Sequence, residues 1–99
     1  MKVNTQSVNF NADQKLIDFI QQRMDKLEQY YDKVIKSDVL LKLENTTGKQ
    51  NKIFEAKVSV PGESLVIKKV CKSFEEGVDS AVSSLERQLK KHKEKIRTY

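Results

Sequence analysis

The residues of this chain best suited to chemistry are its cations. Between Glu86 and Arg97 stand Arg87, Lys90, Lys91, Lys93, Lys95 and Arg97, against only Glu86 and Glu94. That segment carries four of the five net positive charges of the 99-residue chain. The 85 residues before it are nearly neutral, with 13 basic and 12 acidic side chains. A dense positive stripe on one element of a small, neutral body suits a polyanion. Arginine offers a planar fork of donors and lysine a mobile point charge, and both match phosphate oxygens. The same run also reads as a solvated helix face. Glu86–Lys90 and Lys90–Glu94 are i,i+4 pairs, and cations near a helix C-terminus complement the helix dipole. Six cations against two acids exceed what helix stabilisation requires, so binding is the favoured reading.

A second, smaller set lies upstream. Phe19, Arg23, Lys26 and Tyr30 share one flank of a helix at spacings of four, three and four. Aromatic groups interleaved with bases can stack on nucleobases and hold the backbone. Phe19 and Tyr30 can equally pack against a neighbouring helix, and the sequence leaves both readings open. His92 falls within an apolar stripe, where a half-buried helix residue is expected rather than a ligand or a base. One histidine and the lone Cys71 make a poor metal site. Cys71 has no visible activating partner. Acidic residues are scattered, and three glycines leave little material for a phosphate-binding loop. The expectation is a protein that is not an enzyme and carries no cofactor, no metal and no small-molecule substrate.

These side chains must be positioned by a single small domain, residues 1–99. Apolar residues make up 37% of the chain and charged residues 33%, enough for a two-layer core. No apolar run is long enough to span a membrane or to form a secretory signal. A single cysteine suits a reducing cytosol, so a cytoplasmic location is expected.

Hydrophobic periodicity sets the element order. Lys2–Val8 alternates as a strand. Asp13 is placed to cap a helix over Gln14–Tyr31, with Leu16, Ile17, Ile20, Met24, Leu27 and Tyr31 on its apolar face. Ile35–Glu44 and Lys52–Val60 read as strands around a polar loop, Thr46–Asn51. Phe54, Ala56, Val58 and Val60 face inward. Pro61-Gly62 makes the next turn. Ser64–Lys72 is a fourth strand of ambiguous register: Leu65, Ile67 and Cys71 point to one inward face, Val66 and Val70 to the other. A bulge or an edge position would explain this. Phe74–Arg97 is the second helix, with Phe74, Val78, Ala81, Val82, Leu85, Leu89, His92 and Ile96 as its stripe. Gly77 weakens its first turns. The predicted fold is α+β: a β-α-β-β-β-α two-layer sandwich, with a four-stranded, mainly antiparallel sheet and both helices on one face.

Two stretches carry a resemblance that covers the chain end to end. Lys26-Leu27-Glu28-Gln29-Tyr30-Tyr31-Asp32 resembles the end of the first helix of the ribosome hibernation promoting factor family, short form, also called ribosomal subunit interface proteins or ribosome-associated inhibitors. Leu85 to Lys95, with its Arg-Gln-Leu-x-Lys-x-Lys pattern, resembles that family's basic second helix. Asp79 falls where the family commonly places an acid. Ser84 stands where relatives often have lysine, and Ser73-Phe74-Glu75 replaces a common helix start.

The resemblance implies a translation inhibitor that binds the small ribosomal subunit and its ribosomal RNA. It would occupy the channel for messenger and transfer RNA and hold ribosomes inactive under stress or in stationary phase. Carried over by position, Lys26, Arg87, Lys91 and Lys95 would contact RNA, with Arg23, Lys90 and Lys93 next to them. Long-form relatives carry a further domain that pairs ribosomes, so ribosome dimerisation would fall to a separate factor. Two alternatives stand beside this reading. A stand-alone structured-RNA binder would share the layered architecture, but double-stranded RNA-binding domains run α-β-β-β-α and place lysines at the start of their second helix. A protein-interaction module modulating transcription would bind a protein, and RNase would not release it.

Overall fold

The structure is a computed structural model that describes the backbone of residues 1–46 and 49–97 and the side chains of residues 1–44 and 51–95. The elements run β1 (Lys2–Val8), α1 (Gln14–Asp25), a 3-10 turn (Lys26–Gln29), β2 (Lys36–Thr46), β3 (Lys49–Val60), β4 (Glu63–Cys71) and α2 (Phe74–Arg97). The sheet order is β1-β2-β3-β4. β1 pairs with β2 in parallel, and the other two pairings are antiparallel. A parallel neighbour needs a crossover rather than a hairpin, and α1 supplies it. This is the predicted β-α-β-β-β-α sandwich, with a mixed sheet.

Each local signal has its structural counterpart. Asp13 has extended backbone, and its Oδ1 accepts the Leu16 N–H at 2.8 Å, satisfying one of the free donors of the first helical turn. Gly62 has φ of 88° in the β3–β4 turn, the conformation that Pro-Gly favours. Asn9 also has positive φ, at 70°. Past that bend, Phe10 stacks on Phe74 with ring centroids 5.2 Å apart.

Both helices cover one face of the sheet. Leu16, Ile20, Met24, Leu27 and Tyr31 meet Val39 and Leu41 of β2, Phe54, Ala56, Val58 and Val60 of β3, and Phe74, Val78, Ala81, Val82, Leu85 and Leu89 of α2 in one core. The α2 stripe is buried as expected through His92, while Ile96 lies outside the described side chains.

The structure differs from the sequence expectation in several places. α1 stops at Asp25, and a 3-10 turn follows instead of further α-helix to Tyr31. The carbonyl of Leu27 accepts the N–H groups of both Tyr30 (3.1 Å) and Tyr31 (3.2 Å). This tightening closes the helix end while keeping Leu27 and Tyr31 buried. Ile17 is only half-buried and lies outside the core.

β2 starts at Lys36, while β2 and β3 together run further toward their connection than expected, pairing to Thr46↔Lys49. Antiparallel pairing satisfies backbone groups whatever the side-chain polarity, so the ladder continues into the polar segment. Of the expected Thr46–Asn51 loop, Thr47 and Gly48 lie outside the described residues.

β4 begins and ends one residue early, and its pairing with β3 is unbroken from Val60↔Glu63 to Lys52↔Cys71. The edge position, not a bulge, accounts for its mixed pattern. Leu65 and Ile67 pack toward the core, and Val66 and Val70 stand more than 60% exposed on the outer face. Ile53 is also on that outer face, yet it is buried. Its cross-strand neighbours Lys42 and Val70 flank it on both sides, as only a central strand permits.

Gly77 has a role beyond its low helix propensity. A Cβ there would lie 2.5 Å from Cys71 Sγ and 3.5 Å from Phe54 Cβ. Its missing side chain lets α2 seat on β3 and β4. Gly77→Ala is therefore expected to lower stability by about 1–3 kcal/mol through overpacking, despite a helix-propensity gain of about 1 kcal/mol. In a Cys71→Ala background the same change is expected to be neutral or stabilising. Urea unfolding of the four proteins checks both signs. Leu85 is fully buried, so Leu85→Ala is expected to cost about 2–5 kcal/mol in the same measurement.

Candidate nucleic-acid interface

The basic half of α2 is a straight consequence of helical geometry. Arg87 to Lys95 rise about 12 Å along the axis, at about 100° per residue. Leu85, Leu89 and His92 occupy the inward side, so Arg87, Lys90, Lys91, Lys93 and Lys95 are all exposed. Arg87, Lys90 and Lys91 project most directly outward. Lys93 leans toward the 3-10 turn and lines a shallow hollow of about 300 Å³ with Gln29, Tyr30, Lys90 and Glu94. Lys95 lies on the other flank. Arg97 is outside the described side chains.

The first helix adds two cations with different surroundings. Arg23 is held at the surface by partners within the chain: its Nε lies 3.3 Å from Asp79 Oδ1 on α2, and its guanidinium sits 4.8 Å over the Phe19 ring. Phe19 itself is partly buried against the core. Lys26, in the 3-10 turn, is exposed. Lys90 Nζ stands 5.2 Å over the half-buried Tyr30 ring, the contact that links the basic stripe to the first helix. The structure thus brings Arg23, Lys90 and Lys93 to the seam between the two helical segments, while Lys91 and Lys95 lie away from it, and the seven cations are not equivalent. Arg23, Arg87 and Lys90 have partners within the chain, Arg87 donating to Ser84 Oγ at 3.2 Å. Among the described residues, no side-chain hydrogen bond or ion pair engages Lys26, Lys91, Lys93 or Lys95.

Phe19 and Tyr30 therefore take on packing and cation-holding tasks within the fold. Asp79, the acid singled out by resemblance, neutralises Arg23 rather than standing alone on the basic face. The sequence marks Ser84 only as a departure from relatives, and neither its pairing with Arg87 nor that of Glu63 with His92 can be read from it. Ser84 is buried beside Arg87. Glu63 Oε1 lies 2.5 Å from His92 Nδ1. These partners are far apart in sequence or masked by the bland polarity of serine, so no periodicity could reveal them.

The other reactive groups have structural surroundings. Cys71 is partly buried, and its thiol donates to the Lys52 carbonyl at 3.2 Å. Burial pushes its pKa above the usual thiol value, which keeps it protonated and weakens it as a nucleophile. Among the described residues, no group of three or more His, Cys, Asp or Glu side chains is placed to hold a metal ion. Nor is any helix among them long and apolar enough to cross a membrane.

Comparisons with known proteins agree with this architecture. The chain is 32% identical over 95 residues to the ribosome hibernation promoting factor of Pseudomonas putida, covering 96% of this chain and 89% of that one. It is 28% identical to the Escherichia coli protein of the same name over the full length of both. It is 29% identical to the ribosome hibernation promotion factor of Bacillus subtilis, and there it spans only half of the relative. Two solved structures share the fold. One is the N-terminal domain of Thermus thermophilus Protein Y (TM-score 0.79, 22% identity, 93% of this chain and 99% of that one). The other is a ribosomal subunit interface protein from Coxiella burnetii (TM-score 0.82, 19% identity, 94% and 98%). A family model described as Sigma 54 modulation protein / S30EA ribosomal protein matches residues 3–97, and the chain belongs to that family.

Proposed function

We propose that this protein binds the ribosome and promotes hibernation by occupying the messenger and transfer RNA channel of the small subunit. The observation that carries this reading is the set of exposed, unpaired lysines, Lys26, Lys91, Lys93 and Lys95, presented by two helices that are packed on a sheet. Relatives named as ribosome hibernation promoting factors support it. Inhibition is by occupancy: no bond is made or broken, and the work is done by phosphate neutralisation and exclusion of competing RNA. Lys26, Arg87, Lys91 and Lys95 are the leading contacts with ribosomal RNA. Arg23, Lys90 and Lys93 border them, and partners within the fold keep Arg23 and Lys90 from moving as freely. The protein acts in the cytoplasm, where ribosomes are.

The stand-alone RNA-binder reading has less support. An α-β-β-β-α domain has no counterpart to β1, which here pairs along seven residues of β2.

Neutralising about four phosphates should make binding weaken about 50- to 150-fold between roughly 50 and 200 mM salt. The triple variant Arg87→Glu, Lys91→Glu, Lys95→Glu is expected to unfold like the parent, because these side chains are exposed, and to stop sedimenting with vacant ribosomes. A folded triple variant that still travels with ribosomes would reject the contacts. Preference for free duplex RNA over ribosomes would reject the function.

A further inference from the structure

From Lys90 to Lys95 only one side chain is buried, and it is polar. His92 is 7% exposed, while Lys90, Lys91, Lys93, Glu94 and Lys95 are all open to solvent. Its Nδ1 lies 2.5 Å from Oε1 of Glu63, the first residue of β4, directly after the Pro61-Gly62 turn. With a carboxylate as its partner, Nδ1 carries the proton and donates. The ring also meets Tyr31 edge-on, with centroids 5.3 Å apart and planes at 76°. Leucine at this position would supply burial without direction. The imidazole supplies direction, because a short hydrogen bond to a carboxylate tolerates little rotation.

We infer that Glu63 and His92 form a positioning clamp that sets the rotation of the basic end of α2, and so where Lys91, Lys93 and Lys95 meet the RNA backbone. This rests on the ribosome-binding reading above. The clamp sits between the lysines it would aim: Lys91 and Lys93 are its sequence neighbours, and Lys95 follows within one turn. Side-chain atoms ride about 5–6 Å from a helix axis. A rotation of about 20° therefore moves them by about 2 Å, enough to break a phosphate hydrogen bond. Glu63 takes no part in the apolar core, so its contribution lies in orientation rather than burial. An acid beside a phosphate-binding helix is otherwise a handicap, since it subtracts from the attraction for RNA.

That handicap makes the test a matter of sign. Glu63→Ala raises the net charge by one, so simple electrostatics predicts tighter ribosome binding. The clamp predicts weaker binding, by about five- to tenfold near 100 mM salt, with the log–log salt slope shallower by about one phosphate contact. Glu63→Gln removes the same charge but keeps an oxygen that can accept from Nδ1–H, and it is expected to restore binding. Amide exchange in the free protein is expected to accelerate about tenfold at residues 91–95 in Glu63→Ala, with the β3 core unchanged. His92→Leu is expected to reproduce both effects, and adding Glu63→Ala to it should weaken binding no further.

Tighter or unchanged binding of Glu63→Ala, or equal losses in Glu63→Ala and Glu63→Gln, would overturn the clamp. So would exchange that speeds up throughout the domain while the salt slope stays fixed. Should His92→Leu not fold, the two Glu63 variants decide the matter. If the parent protein ignores ribosomes, the functional reading fails, and exchange at residues 91–95 still tests the clamp. If the parent binds, the triple glutamate variant does not, and Glu63→Ala behaves as the parent, only the clamp fails.

Discussion

The structure depends on one helix meeting two opposed demands. α2 must carry a dense row of cations outward and hold fast to the sheet inward. Arg87, Lys90, Lys91, Lys93 and Lys95 stand three and four residues apart, where like charges repel by about 0.2–0.5 kcal/mol per pair. Glu86 and Glu94 relieve only part of this. Against it stand Leu85 and Leu89, both fully buried, each worth about 1.5–3 kcal/mol of transfer free energy. Burial wins, and it wins without neutralising the outer face. The cationic surface therefore persists as an uncompensated charge that an external polyanion can satisfy.

The same logic bears on two other acids. Asp79 holds Arg23, and Glu63 meets His92. Asp79 sits on the flank of α2 toward α1, and Glu63 on β4 beside its other flank, so neither joins Glu94 in the outward row. Acids on that row would compete directly with phosphate for the lysines. Acids on the flanks can instead restrain the cationic surface from behind, so that side chains are partly ordered before any partner arrives. Immobilising a long side chain at an interface costs about 0.5–1.5 kcal/mol. Arg23, Arg87 and Lys90 have part of that cost met within the fold. The unpaired lysines keep their freedom and can adapt to an irregular RNA surface.

Much of the fold was legible because it rests on local or periodic signals. Asp13 as a cap, Pro61-Gly62 as a turn and the α2 stripe from Phe74 to His92 all follow from residue type and spacing, and the structure agrees with each. The end of α1 was not legible. Leu27 and Tyr31 keep helical spacing, and a 3-10 turn buries the same two residues as another turn of α-helix would. Ile53 was opaque for a different reason: alternation puts it on the outer face, and its burial comes from neighbours on two other strands. Gly77 read as a weakness because propensity is a property of one residue, whereas its contact with Cys71 Sγ belongs to the packing of helix on strand. The cationic row of the site was visible in the sequence, since charge is a property of composition. The partners of its members were not, since Arg23 and Asp79, or Glu63 and His92, meet only through the sheet.

This division says something about how such a surface is specified. Charge count alone would let the cations of α2 be scattered or exchanged with little effect on a non-specific polyanion. The seating of the helix that carries them rests in part on groups that carry no net charge or the wrong one. Tyr30 under Lys90, Tyr31 against His92, Ser84 beside Arg87 and Gly77 in the first turns of α2 are each neutral. A protein that needed only to stick to RNA would have no use for them at these places. A protein whose cations must meet a partner in one orientation does. The helix backbone then fixes where each cation starts from, and the free ends of the lysines supply the adjustment.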